Sequence, residues 1–322
     1  MKFFRFWPFW AFLMLGSLSS CQKETPNPWE HPVQVTEKTN ITDLSKSFYD
    51  PTYPLDTFKA KYPWFQGSVS DEDFVQRRKD PEEIKIYQTA VKKIDQGKLE
   101  NDLNQLFSRV KHYFPQFAPP KVYLFSSALQ MAKDPVFFIP SENLLFIDIT
   151  GFLGENAPEY QGMENYFKKS MNPNNLLPKV AATIAENFVK YDNTKFIDQL
   201  VSNGKIMILQ DAFLPETQDH LKIGYSLPQY EWAKANESNI WNYFVENNLL
   251  FSDDQRLAER FIAPGPFSKF YTEIDNESSP QIGIFTGWQI ARTYYKKHPE
   301  TPLQEFLKMD NQTLFNQAVY KP

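Results

Sequence analysis

Residues 175–190 read NLLPKVAATIAENFVK, and the spacing of their apolar side chains predicts a mostly buried α-helix. At about 100° per residue, these side chains fill a continuous arc of roughly 200°, wider than the stripe of a surface helix. Glu186 lies at the edge of that arc, and Lys190, four residues later, is its predicted ion-pair partner. The segment is therefore expected to lie inside a folded body.

Helical periodicity extends over nearly all of the chain after Pro173. The pattern predicts helices at 174–190, 195–213, 228–248, 253–262, 282–297 and 302–308. Upstream, two apolar stripes between Pro81 and Phe114 predict two helices that meet near Gly97. Three β-type runs lie between these helical regions, at Lys121–Phe125, Val136–Ile139 and Leu144–Ile149.

The order of these elements predicts an α+β fold. Helices come first, then a small sheet that contains antiparallel pairs, then many helices, and the sequence shows no βαβ alternation. This order argues against a Rossmann fold and against a TIM barrel. We expect a single, predominantly helical body domain over residues 45–322. Its core needs no disulfide, because 42% of the chain is hydrophobic.

The first twenty residues have the order of a secretory signal peptide. Lys2 and Arg5 precede an apolar run over residues 6–18, and two serines then precede Cys21. The run is shorter than the ~20 residues of a membrane-spanning helix and is broken by Pro8, so a spanning helix is the weaker interpretation. Residues 18–21, LSSC, resemble a bacterial lipobox, in which the cysteine is lipidated and becomes the first residue. An ordinary signal peptide with a chance cysteine is the alternative.

Cys21 is the only cysteine of the chain. It cannot form an internal disulfide, and lipidation explains its presence in an oxidising compartment. We therefore predict that the protein is anchored to a membrane through lipid on Cys21. Residues 21–44 are polar and contain several prolines, which predicts a flexible linker with an r.m.s. reach of roughly 25 Å.

Charge and reactive residues exclude several classes of function. The net charge is −5, and it becomes more negative when residues 1–20, which carry two positive charges, are lost. Nucleic acid is therefore not an expected partner. The four histidines lie far apart in sequence, and none forms the i, i+4 pair of a helical metal site. The sequence contains no Gly-x-Ser-x-Gly elbow and no Gly-rich phosphate loop. No cofactor is expected.

Short motifs of the C-terminal half occur together, in order, behind the lipobox. They are Ser202–Lys205, Asp211–Pro215, Ile223–Tyr225, Glu231–Ala233, Asn239–Trp241, Pro266–Phe270, Ile274–Glu277, Ile282–Gly283 and Gly287–Ile290. With Phe114-Pro115 and the run into Asp148, the chain resembles the GldB family of gliding-motility lipoproteins of the Bacteroidetes over nearly its whole mature length. The resemblance implies an envelope lipoprotein needed for gliding, a process coupled in these bacteria to type IX secretion.

That family is similar in turn to predicted zinc peptidases, whose metal helix reads His-Glu-x-x-His with a further acidic ligand on the next helix. If the segments correspond, Ala185, Glu186 and Val189 stand in this motif, and Asn203 stands at the acid. Both histidines are absent, and Glu186 alone cannot hold zinc or activate a water. The resemblance therefore implies a zincin-like architecture with a degenerate metal site and no bound metal.

The preferred hypothesis is a non-catalytic protein of the cell envelope, anchored to the outer or inner membrane with its body in the periplasm. It would bind another component of the gliding and secretion machinery, through the groove where a relative holds substrate. One alternative is a hydrolase with an atypical site, either a metallopeptidase or a cell-wall glycosidase that uses carboxylates. A purely structural lipoprotein that stabilises a neighbour is the other alternative.

Overall fold

A computed structural model of the protein describes residues 28–273 and 275–322. The predicted signal peptide and the predicted lipidation site at Cys21 lie outside these residues. Four strands form one mixed sheet in the order β1-β2-β4-β3. The strands are β1 (Ile41–Asp43), β2 (Lys121–Phe125), β3 (Val136–Ile139) and β4 (Leu144–Asp148).

The sheet contains two parallel pairs and one antiparallel pair. β1 pairs in parallel with β2, with Ile41 opposite Val122, and β2 pairs in parallel with β4. β3 runs antiparallel to β4, with Phe137 opposite Phe146. The α+β class and the three predicted strands are confirmed, the third being one residue shorter than expected. β1 was not predicted, because three residues are too few to show a two-residue period.

α-Helices account for about half of the described chain. They are α1 (Leu44–Tyr49), α2 (Leu55–Lys61), α3 (Asp71–Lys79), α4 (Pro81–Val91), α5 (Gln96–Tyr113), α6 (Asn165–Lys168), α7 (Leu176–Glu186), α8 (Phe196–Phe213), α9 (Asp219–Lys222), α10 (Leu227–Ala235), α11 (Glu237–Glu246), α12 (Arg256–Phe261), α13 (Ile282–Lys297), α14 (Leu303–Lys308) and α15 (Asn311–Ala318). None of these helices of the described residues has the length and apolar character needed to cross a lipid bilayer.

Helices α8 and α13 cross with their backbones in contact. A Cβ atom at Gly204 would overlap the carbonyl oxygen of Gly287, and one at Gly287 would lie 2.6 Å from the carbonyl carbon of Leu200. Burial extends along nearly the whole of α8, and Trp288 of α13 is fully buried. The crossing therefore fixes α8, which carries Asn203, at the centre of the helical part of the molecule.

Residues 28–40 form an N-terminal arm that packs along α5, in contrast to the flexible linker expected over residues 21–44. The Arg109 side chain donates hydrogen bonds to the carbonyl oxygens of Trp29 and His31, at 2.5 and 3.1 Å. The backbone amide of Thr36 donates to Ser108 Oγ at 3.0 Å, and the arm then continues into β1. The linker prediction does not hold for residues 28–43. Side chains of α5 form hydrogen bonds with backbone groups that we expected water to hydrate.

Candidate functional site

Glu186 and Asn203 line one cavity of about 230 Å³. Glu186 is the last residue of α7, and Asn203 lies in the middle of α8, which packs against α7. Lys222 at the end of α9 and Lys179 of α7 also line the cavity, together with the apolar side chains described below. The structure therefore brings together two of the four residues predicted for the degenerate metal site.

The other two predicted residues do not reach this cavity. Ala185 is fully buried in the core, and Val189 is half-buried outside the cavity lining. Helix α7 ends at Glu186, where the backbone amide of Asn187 already bonds back to the carbonyls of Ala185 and Ile184. Positions 185 and 189 thus do not lie one helical turn apart on a common face, which two imidazoles sharing one metal ion require.

The early end of α7 also removes the predicted ion pair between Glu186 and Lys190. Lys190 belongs to the segment after the helix, and no ion pair joins it to Glu186 in the described part of the chain. The 3.6-residue period, which placed the two side chains on one face, does not apply past Glu186.

Asn203 is held by two hydrogen bonds of its side-chain amide, which carries no charge and is not among the usual ligands of zinc. Its Nδ2 donates to the hydroxyl oxygen of Tyr191 and to the carbonyl oxygen of Gln199, both at 2.9 Å. The Oδ1 atom accepts no hydrogen bond from the described residues. Within residues 28–273 and 275–322, no group of three or more histidine, cysteine or acidic side chains is placed to hold a metal ion. The residues at this site therefore do not fit zinc.

Glu186 is accessible through the cavity yet surrounded by protein. Its side chain is exposed, and the surrounding protein atoms raise the pKa of its carboxyl group by desolvation. The charge of Lys179 opposes this increase, and the charge of Asp134 adds to it. The carboxylate thus occupies a concave environment that solvates its charge less well than bulk water does.

The three lysines that line the cavity are each paired with a carboxylate. Lys133 pairs with Glu164 at 2.7 Å, and Lys179 pairs with Asp134 at 3.3 Å. Lys222 forms a buried ion pair described below. Glu186 makes no ion pair with any described residue, so the one carboxylate of the lining carries the only uncompensated charge there.

A buried network of charged residues reaches the cavity through Lys222, and the sequence did not predict it. The carboxylate of Asp211 accepts hydrogen bonds at 2.8 Å from Lys222 Nζ, from Trp288 Nε1 and from two guanidinium nitrogens of Arg292. Arg292 also donates to both carboxylate oxygens of Asp219, at 2.6 and 2.9 Å. Asp211 lies near the end of α8, after the apolar run Ile206–Leu209, and an acidic residue at that place was the sequence signal that could have found the network.

The network combines two carboxylates, two cationic side chains and an aromatic ring. The guanidinium of Arg292 lies 3.8 Å from the ring centre of Trp288, which adds a cation–π contact. Burial alone would raise the pKa of Asp219, but the hydrogen bonds and charge of Arg292 outweigh burial and hold it at about 2. All four charged groups are thus compensated inside the network, and Lys222 is unavailable to a ligand in the cavity.

One comparison finds a protein family that the chain matches. A family model described as gliding motility protein GldB matches residues 26–322, which include every described residue of the cavity and of the buried network. No curated protein and no solved structure matches the chain. The zincin-like architecture therefore stays a prediction.

Proposed function

The chain belongs to the family of the gliding motility protein GldB, and from that premise we propose that it is a non-catalytic lipoprotein that works by binding another component of the gliding and secretion machinery. Family membership gives it a role in gliding motility and makes it an envelope-anchored lipoprotein. The cavity beside Glu186 is the proposed contact site, and the proposed machinery includes type IX secretion.

The observation that carries the proposal is a concave site without a set of metal ligands. Glu186 and Asn203 open into the cavity, whereas Ala185 is sealed in the core. Without a set of metal ligands, Glu186 has no metal-activated water to deprotonate, and the described lining offers no second carboxylate for glycosidase chemistry. The arrangement therefore favours binding over hydrolysis. An accessible cavity with an uncompensated charge is typical of a recognition site.

The packed N-terminal arm restricts how far the body can lie from its anchor. We propose that lipid on Cys21 holds the protein at the outer or inner membrane, with the body in the periplasm. Only residues 21–27 then separate the anchor from the arm, and seven residues span at most about 25 Å. A Cys21→Ser variant is expected to leave the membrane fraction; its retention there would count against the lipid anchor.

The contact site is tested by filling the cavity. Deletion of the gene is expected to abolish spreading on agar, and Ala182→Trp is expected to do the same, because Ala182 lines the cavity and an indole would occupy it. Asn187→Trp is the matched control, since Asn187 is exposed at the end of the same helix and outside the cavity lining. Protein levels and unfolding midpoints are measured alongside. Normal gliding of a stably folded Ala182→Trp strain would show that the cavity is not the contact site.

The hydrolase alternative is tested by elemental analysis of the purified full-length protein and by peptidase and glycosidase assays. We expect a zinc content well below one ion per chain, because positions 185 and 189 carry no ligand atoms. Stoichiometric zinc, or any peptidase or glycosidase activity that Glu186→Gln removes, would replace the binding proposal with the hydrolase alternative.

A further inference from the structure

In the cavity beside Glu186, some polar side chains have a partner and others do not. All three lysines of its lining are neutralised by carboxylates, and Glu186 is not. The Oδ1 atom of Asn203, on the facing helix, is a second acceptor without a donor among the described residues. The site thus offers acceptors and negative charge, and it has little to offer an anion.

Apolar side chains make up much of the rest of the lining, beside polar ones such as Asn175, Gln210 and Gln281. The apolar members include Met171 from the segment before α7, Pro178 of α7, Ile206 and Met207 of α8, Ile223 after α9 and Ile284 of α13. A wall of this kind suits methylene groups, which gain free energy when they leave water. A carboxylate beside an apolar pocket matches a ligand with a cationic end and an aliphatic stem.

We propose that this cavity binds a lysine or arginine side chain of the protein partner, with the cation on Glu186 and the aliphatic stem against the apolar wall. The inference rests on the proposed function and names the chemistry of its partner. The volume of about 230 Å³ is below the ~300–1,000 Å³ typical of cofactor and drug-sized ligands, so a single inserted side chain fits it better than a free metabolite.

Binding is expected to depend on pH through Glu186. The groups that face it are Lys179 on its own helix, Asp134 and Lys133 before β3, Asn203 on α8 and Lys222 on α9. Desolvation raises the pKa of Glu186, so its carboxyl group takes up a proton at a higher pH than an ordinary glutamate. The cation binds the ionised form, so affinity falls as the pH drops through this raised pKa, and the loss begins at a higher pH than it would for an ordinary glutamate.

The test is a titration of the full-length protein, purified in detergent, with the N-acetylated methylamide of lysine, followed by NMR. The corresponding norleucine compound has a similar stem without the charge and is expected to bind about tenfold or more weakly. Glu186→Gln is expected to weaken lysine binding by a similar factor. Glu246→Gln is the control, because Glu246 is also an exposed glutamate at the end of a helix, α11, but lies outside the cavity lining, so binding should be unchanged.

The outcomes separate this inference from the proposed function. Equal binding of the two compounds, no binding of the lysine compound, or full binding by Glu186→Gln would overturn the cation site. If the lysine compound binds as expected but the Ala182→Trp strain glides normally, the cation site stands and the contact function at the cavity fails. If that strain does not glide and the lysine compound does not bind, the cavity is the contact site for a partner of other chemistry.

Discussion

Gly287→Ala is expected to lower the free energy of unfolding by about 3 kcal/mol or more. The added Cβ would lie 2.6 Å from the carbonyl carbon of Leu200 and closer still to its oxygen. Both are backbone atoms of the neighbouring helix α8, so no side-chain rotation relieves the overlap. The helices α8 and α13 would have to separate, which would loosen the packing of buried side chains such as Trp288.

A glycine in the middle of a helix normally lowers stability, so its replacement by alanine is normally stabilising. The loss of stability expected at position 287 is therefore informative. Alanine is the better helix former by about 1 kcal/mol, and this gain would have to be outweighed at position 287. Gly97→Ala is the matched control, because a Cβ there meets only Asp95 Oδ1, at an ordinary 3.6 Å, in the first turn of α5. We expect Gly97→Ala to stabilise the protein by up to about 1 kcal/mol.

Both variants are compared with the natural protein by urea unfolding, with the free energy obtained by linear extrapolation. A destabilised Gly287→Ala protein beside a stabilised Gly97→Ala protein supports a backbone contact at the α8–α13 crossing. Similar stabilities for Gly287→Ala and the natural protein would show that the two helices do not approach so closely.

Long periodic segments were predictable from the sequence, and short or interrupted ones were not. Helix α13 has the bounds that its apolar period predicts, and α8 differs by one residue at its start. The single helix expected over residues 228–248 is two helices, α10 and α11. Asn236 ends the first, because its side-chain Nδ2 bonds back to the carbonyl of Trp232 and competes with the helical pattern.

The candidate site was predictable in part. Glu186 and Asn203 were named from the family resemblance, and they do share a cavity. The orientation of Ala185 and Val189 was not predictable, because it depends on where α7 ends, and helix ends are set by local hydrogen bonds such as that of Asn187. The partners of Asp211 come from α9 and α13, and a single sequence contains no measure of such distances.

Arg292→Met is expected to lower the free energy of unfolding by about 3–5 kcal/mol. Methionine keeps much of the stem but removes the guanidinium that joins Asp211 to Asp219. Among the described residues, Lys222 would then be the only cation paired with the two carboxylates, one of them buried, and a net negative charge would remain inside the protein. Removing one partner of a buried charge network costs far more than the network adds to stability when complete.

Arg256→Met is the matched control, because Arg256 also binds an aspartate, Asp254, through two nitrogens. That pair lies at the surface, where water and salt screen it, so no measurable loss of stability is expected. Urea unfolding at neutral pH compares the two variants. Equal losses from Arg292→Met and Arg256→Met would contradict the buried network.

The dependence of stability on pH in the acid range tests the same network by a second, independent measurement. Arg292 holds the pKa of Asp219 at about 2, below the ordinary value of 3.8, so the ionised carboxylate stabilises the fold above about pH 4. That contribution is lost as the pH falls from about 4 to about 2, since the unfolded chain takes up the proton first. In Arg292→Met the pKa of Asp219 no longer benefits from the guanidinium, so stability should change less across this interval than in the natural protein. An unchanged acid profile in Arg292→Met would mean that Asp219 does not depend on Arg292, whatever the loss at neutral pH.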